Sequence, residues 1–336
     1  MFNALGEFLL VGMEYVNTHW VASYAITIVI FTIIFRLMTM PSDVFQRRQS
    51  ARMQEHQPEL KRIQERYASN PETMQRKTRE YQKEHKISLT SGCLPLLITF
   101  FVFGIFLNGM RLWGDLKTAQ MYLDTTKMSS TQEKEEYFKD FEFYWIANIW
   151  QPDSGFAPIV KDYEEFTRIE FDRLKRFLPA EDIATLKKVA QTEELKNKDL
   201  SKEERAELIE KGKVAYEADL DFVKQMYPGR TNGWFIMAVL AGLSMLLIQM
   251  MTQRLNPTQA AAVDPNQPAV PGAAMGKGMM WIMAAMWVVF CTTSNAAFAI
   301  YAITSNIVGG VVTLMMNWKN LNRLLPKKKE AEKIHG

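Results

Sequence analysis

Charge and apolarity are segregated along this chain of 336 residues, and that segregation constrains the fold more than any single motif. Apolar stretches at about residues 21–40, 94–110, 233–252 and 279–316 approach or exceed the ~20 residues that a helix needs to cross a bilayer. The charges crowd between them. The last stretch, MMWIMAAMWVVFCTTSNAAFAIYAITSNIVGGVVTLMMNW, has room for two short spans joined by a polar turn near Thr292 to Asn295. The expected fold is all-α, a polytopic membrane protein with five transmembrane helices at 20–41, 93–112, 232–252, 279–294 and 295–317. Averages conceal this, since 48% hydrophobic composition and a net charge of +3 would suit a soluble protein of two domains.

Orientation follows from Lys and Arg, because short basic loops stay in the cytoplasm. Residues 1–35 contain neither but carry Glu7 and Glu14; residues 42–92 hold eleven; the tail from 318 to 336 ends LNRLLPKKKEAEKIHG. The N-terminus is therefore expected outside and the C-terminus in the cytoplasm. Residues 111–230 hold twenty basic and twenty-five acidic groups, and a region so long and net acidic can be exported. MFNALGEFLLVGMEYVNTHW lacks a basic start and a small-residue cleavage site, so no cleavable signal is expected. Phe2, Leu5, Phe8, Leu9 and Met13 share one helical face, which suits an interfacial helix over 1–19 on the outer membrane surface. Cys93 and Cys291 fall in or beside spans and imply no disulfide framework.

Between the spans the chain reads as helical. In residues 42–92, Asn70 followed by Pro71 and Glu72 is a helix start, giving a cytoplasmic helical hairpin with arms of roughly 25 and 16 residues. Its apolar positions (Met53, Leu60, Ile63, Tyr67, Met74, Tyr81) are sparse. A basic arm of this kind can meet anionic lipid or ribosomal RNA, or its charges can simply enforce topology. Residues 113–231 form a helical extracytoplasmic insertion of three or four helices, with capping boxes expected at Ser130–Glu133 and Ser201–Glu204. In PIVKDYEEFTRIEFDRLKRFLP, Ile159, Tyr163, Phe166, Ile169 and Leu174 lie near one helical face. Residues 253–278, rich in Pro, Ala and Gly, read as a flexible linker.

Signals for catalysis are missing from the sequence. It has no Walker sequence, glycine-rich nucleotide loop, nucleophile elbow or spaced metal-ligand cluster, and His19, His56, His85 and His335 are scattered. No enzyme activity, metal, cofactor or DNA partner is expected. What remains is polar content within the spans. Arg36 lies five residues before Pro41, some 7–8 Å inside the end of the first span. Two readings fit: the guanidinium snorkels to the headgroups, or it faces a polar notch shared with other spans. Gln249, Thr99, Tyr301, Thr304, Ser305 and Asn306 lie at positions that could line such a notch; Tyr301, Thr304 and Ser305 share a face by their spacing.

FRLMTMPSDVFQRRQSARMQEHQPELKRIQERYASNPETMQRKTREYQKEHKISLTSGCLPLLI resembles the YidC/Oxa/Alb family of membrane protein insertases: an arginine shortly before a proline, QPELKRIQERY, the Asn-Pro turn, and GCLPLLI opening the next span. IANIWQPDSG, LLIQMMTQRLNPT, VDP and AAFAIYAITSN follow in the family's order, so that the likeness covers about two thirds of the chain. The resemblance implies five spans around a hydrophilic groove open to cytoplasm and lipid, in a bacterial cytoplasmic membrane. Arg36 matches the groove's charge, Gln249 a polar groove position and Tyr301 a Leu-Tyr-Trp sequence in which Ala302 replaces the tryptophan. Gln57, Pro58, Asn70 and Pro71 fall in the hairpin signature. Without a large domain between the first two spans, the layout is similar to Gram-positive members, with residues 156–230 as an insertion and no lipoprotein signal.

The expected function is therefore that of a membrane protein insertase and chaperone acting on nascent membrane proteins. The ribosome, the secretory translocon and anionic lipids are candidate partners. Two other classes stay open: a scaffold or sensor with an extracytoplasmic binding module, and a small-solute transporter, for which deep ion-coordinating groups are not visible. No internal repeat supports the transporter.

Overall fold

A computed structural model describes residues 2–85, 90–197, 199–255 and 277–318; side chains are described throughout these except at 2–3, 90–100, 196, 277–280 and scattered positions between 43 and 57. Among the described residues the chain is helical, with an isolated antiparallel bridge between Phe143 and Ile146 and no strand. It divides into two compact units, one comprising Met1–Phe31, Gly104–Ala241 and Trp287–Ala302, the other Thr32–Phe103, Gly242–Met286 and Ile303–Gly336.

Three helices are long and apolar enough, among the described residues, to cross a membrane: Tyr24–Ser42 within α2 (Tyr24–Glu55), α12 (Ile236–Leu255) and α14 (Ala296–Met316). A shorter apolar segment, Trp281–Thr293, belongs to α13 (Lys277–Thr293). The expected second span falls in α5 (Thr90–Lys127), where the side chains of 93–100 lie outside the described residues. Leu243, Leu247 and Met250 of α12 and Ile307, Val311 and Met315 of α14 are exposed apolar side chains, as lipid-facing positions must be. The chain is membrane-embedded.

Pro41 does not end a helix: α2 continues through it to Glu55. A proline inside a helix removes one backbone bond, which a long helix can lose without terminating. The polar segment then breaks at His56 into α3 (Gln57–Arg66) and α4 (Pro71–Glu84), which pack together with His56 Nδ1 3.0 Å from the Tyr81 hydroxyl. Pro71 opens α4, and Asn70 Oδ1 accepts from the Thr73 amide at 3.0 Å. Residues 253–255 of the expected linker close α12 and 277–278 open α13, while 256–276 and the basic tail from 319 lie outside the described residues.

In the first unit, α1 (Phe2–His19) buries Leu10, Met13 and Val16, while Phe8 is exposed. Of the face expected from Phe2, Leu5, Phe8, Leu9 and Met13, Met13 is thus buried and Phe8 exposed. The helix approaches α5 closely: an added methyl at Gly109 would sit 3.0 Å from Leu9 Cβ, and one at Gly6 would meet Asn108. Glu14 completes the contact, accepting from Lys117 Nζ at 2.7 Å and Trp113 Nε1 at 2.8 Å.

The rest of this unit is an aromatic core carried by short helices: α6 (Thr131–Phe138), α7 (Tyr163–Thr167), α8 (Ala180–Val189), α9 (Thr192–Lys196), α10 (Lys202–Asp219) and α11 (Asp221–Met226). Ile159, Tyr163, Phe166, Ile169 and Leu174 are all buried, but not on one continuous helix. After Thr167 the chain tightens, with Ile169 N bonding Phe166 O, and Phe171 is buried as well. A straight helix would carry Phe171 well around from Phe166; breaking it lets both rings enter the core. Of the two expected capping boxes, Ser201–Glu204 is reciprocal, whereas the Ser130 hydroxyl makes no cap bond. Ser130 is exposed, where water can serve the helix amides instead.

Candidate functional site

In the second unit, Arg36 projects from α2 six residues before Ser42, about 9 Å along the helix from the end of the apolar stretch. The stem is half-buried and Nε donates to Ser305 Oγ on α14 at 2.7 Å. Ser305 is only 5% exposed, so this bond lies inside the packed helices. Hydrogen bonds that involve a charged group contribute about 1.5–3 kcal/mol. One turn further along α14, Gly309 faces the guanidinium: a Cβ there would stand in ordinary contact, 3.9 Å from Nη2.

A second polar contact lies next to the first in sequence. Asn306 Nδ2 donates to Ser244 Oγ of α12 at 2.9 Å, and at Gly310 an added methyl would run into Ile248 Cδ1. A small residue and an amide thus bring α12 and α14 close, as is common between membrane helices. Gln249 and Thr304 are half-buried on these two helices and are not partners in either bond. The side chains of Thr99 and Gln57 lie outside the described residues, and Pro58 is exposed near the start of α3. Tyr301 belongs to the first unit, where it is buried and stacks on Phe106 with ring centroids 4.0 Å apart and touches Phe298 at 5.6 Å. Ser244, Gly309 and Gly310 are not singled out by residue type; small residues in an apolar run are the signal that marks them.

The first unit holds a polar junction that sequence reading also misses. Asp153, fully buried, accepts from the amides of Trp234 at 2.7 Å and Met237 at 2.6 Å, neutralising free N–H groups at the start of α12. Asn148 and Asn232 bond reciprocally, Asn148 N to Asn232 Oδ1 at 2.7 Å and Asn232 Nδ2 to Asn148 O at 2.8 Å. The carbonyls of Ile149 and Gln151 accept from the amides of Ala297 and Ala296, and Asn295 Oδ1 caps α14 through Phe298 N at 3.0 Å. The segment IANIWQPDSG therefore holds the starts of two apolar helices.

Among the described residues no group of three His, Cys, Asp or Glu is placed to hold a metal ion. Outside the spans, Asp172 has its carboxyl pulled down to about 2 by Lys175 and Lys187. Burial pushes the Tyr122 and Tyr216 phenols up, with Asp219 adding to the shift at Tyr122. These groups brace the fold, and none of them is placed like an acid–base pair.

Comparison with known proteins points the same way as the helices. The family described as 60Kd inner membrane protein is matched over residues 16–323. The chain is similar to the membrane protein insertase YidC of Clostridium perfringens, 31% identical over 139 residues that cover 40% of this chain and 48% of that protein. It is similar to the protein of the same name in Fusobacterium nucleatum, 32% identical over 114 residues, 33% of this chain and 55% of the other. A Leptospira interrogans YidC is 36% identical over 83 residues, 25% of this chain and 13% of the relative. The chain thus spans about half the length of the first two relatives.

Proposed function

From the premise that the chain belongs to the 60Kd inner membrane protein family, we propose that it is an insertase and folding chaperone for membrane proteins. The observation that carries this reading is a cation inside a membrane-length helix, Arg36, tethered by the buried hydroxyl of Ser305 on another such helix. A charge at bilayer depth costs on the order of 3 kcal/mol on insertion scales, so its retention asks for a use.

In the proposed mechanism, Arg36, Ser305, Thr304 and Gln249, with Thr99, line a hydrophilic groove that carries water partway across the bilayer. The leading polar segment of a nascent membrane protein, especially an acidic one, enters the groove and is attracted by the guanidinium. The remaining barrier is thinner, and the segment crosses as the following apolar helix moves into lipid. Burial of that helix supplies the free energy, and no nucleotide is hydrolysed. The protein sits in a bacterial cytoplasmic membrane with five spans, N-terminus outside and C-terminus inside. Its hairpin, with Gln57, Pro58, Asn70 and Pro71, lies in the cytoplasm. Hairpin and tail attract anionic lipid and ribosomal RNA, and the secretory translocon is a further partner.

The test is growth of an insertase-depleted bacterium carrying the intact protein or Arg36→Ala. The intact chain restores growth, and Arg36→Ala fails most with substrates whose translocated segment is acidic. A well-expressed intact chain that does not rescue overturns the reading; equal rescue by both across several substrates overturns the role of Arg36.

A second reading, an extracytoplasmic binding module, draws on a cleft of about 610 Å³ in the first unit, lined by Arg168, Asp172, Arg173, Lys187, Thr192 and Arg205 among others. Under that reading the full-length protein captures a partner that Arg173→Ala releases, while Arg36→Ala has no effect.

A further inference from the structure

Two aromatic residues of the first unit hold backbone conformations that bulky side chains rarely adopt. Tyr144 has φ of 54° and Phe235 has φ of 66°. Residues of this kind in the left-handed region are outliers that cost about 1–2 kcal/mol each, so something must fix them there. Tyr144 sits at the tip of the tight turn closed by the Phe143–Ile146 bridge and is 84% exposed. Phe156 is 89% exposed and Trp234 is 68% exposed. A large apolar surface left outward by a strained backbone is not accounted for by the core.

These rings form one neighbourhood, and its centre is Asp153. That carboxylate accepts from Trp145 Nε1 at 3.5 Å and from the amides of Trp234 and Met237. Phe156 meets Phe235 edge-on at 5.7 Å, and Gly155 leaves room for the Phe235 ring, which a Cβ would approach to 3.2 Å. Arg230 donates to the Trp145 carbonyl, pinning the turn from the other side. The neighbourhood adjoins Ile236, where the membrane-length helix α12 begins. A group at that position stands at the edge of the hydrocarbon, where amphipathic rings are favoured because one end is apolar and the other reaches water.

We propose that Tyr144, Trp145, Phe156 and Trp234 form a rigid aromatic collar that seats in the lipid headgroup zone of the leaflet at the N-terminal end of α12, with Asp153 as the positioning residue that fixes both its parts. The occupant of this surface is phospholipid. Continuity with α12 decides this, since the patch leads directly into a lipid-facing apolar helix. The collar sets the depth of the junction that also holds the start of α14, and so gives the helices a fixed height in the membrane. The inference depends on the chain being membrane-embedded and is independent of any insertase activity.

The test uses full-length protein in nanodiscs whose lipids carry a nitroxide near the glycerol end of the acyl chain or near its terminus. Trp234→Phe and Trp145→Phe each remove emission that the shallow nitroxide quenches more strongly than the deep one, whereas Trp113→Phe, which removes a fully buried ring, does not. Tyr144→Gly relieves the backbone and leaves the thermal midpoint unchanged or higher, yet lowers shallow quenching of the Trp145 component. Quenching of the Trp145 and Trp234 components by aqueous iodide in place of the nitroxide lipids overturns the proposal. Shielding from both quenchers assigns the surface to a second copy of the chain and equally overturns it.

Discussion

Lys117 in the first unit and Arg36 in the second are cations on long helices, and they are held by different kinds of partner. Lys117 is 7% exposed and is met by the Glu14 carboxylate at 2.7 Å and by Gln120 Oε1 at 2.9 Å, while Glu14 is fixed in turn by Trp113. Arg36 has its Nε on the Ser305 hydroxyl, and a Cβ at Gly309 would stand in ordinary contact with Nη2, at 3.9 Å. A buried ion pair locks two helices by charge; a hydroxyl tether fixes where a guanidinium points. The first arrangement belongs to a scaffold. The second gives a charge a direction.

The sharpest way to break the contrast is Glu14→Ala. Removing one partner of a buried pair strands the other, at about 3–5 kcal/mol; thermal unfolding in detergent should show a large loss, much of it recovered in Glu14→Gln/Lys117→Met. A small loss would mean that the two cations are not held differently after all. Ser305→Ala is the matching change at Arg36, with an expected cost of about 1.5–3 kcal/mol. Its effect should be seen more in substrate insertion than in the unfolding midpoint, because the guanidinium keeps its charge but loses its aim. The smallest effect is in acid. The Asp172 carboxyl is lowered in the folded protein from 3.8 to about 2 by Lys175 and Lys187, so its contribution is present above pH 4 and lost as the pH falls through about 2. Unfolding followed between pH 5 and 2 should be less acid-sensitive in Asp172→Asn, whereas the Arg36–Ser305 bond, with no titrating acceptor, should not change over that window.

The two units were unequally legible in the sequence. Apolar runs near 20 residues marked α2, α12 and α14 because membrane crossing demands length and composition together. In residues 113–231 the apolar spacing picked out the buried set Tyr163, Phe166 and Leu174 but gave them one helix, since periodicity records which residues face a core and not where the backbone turns. Arg36 was legible because a charge in an apolar run stands out; its partner Ser305 shared a face with Tyr301, yet the two residues pack in different units. Asp153, Asn148 and Asn232 were invisible as a junction, because their partners are backbone amides and carbonyls separated by some 80 positions. Gly310 passed as one more apolar residue until its approach to Ile248 gave it a reason.

The central claim is that an oriented charge within the membrane helps polar segments across. It is tested most directly by purified protein in liposomes of defined lipid, given a single-span substrate with a short acidic leading segment, and scored by protection of that segment from added protease. The account predicts protection well above that of protein-free liposomes, a marked fall with Arg36→Ala, and partial activity with Ser305→Ala. Protection equal to protein-free liposomes with folded, correctly inserted protein would contradict it.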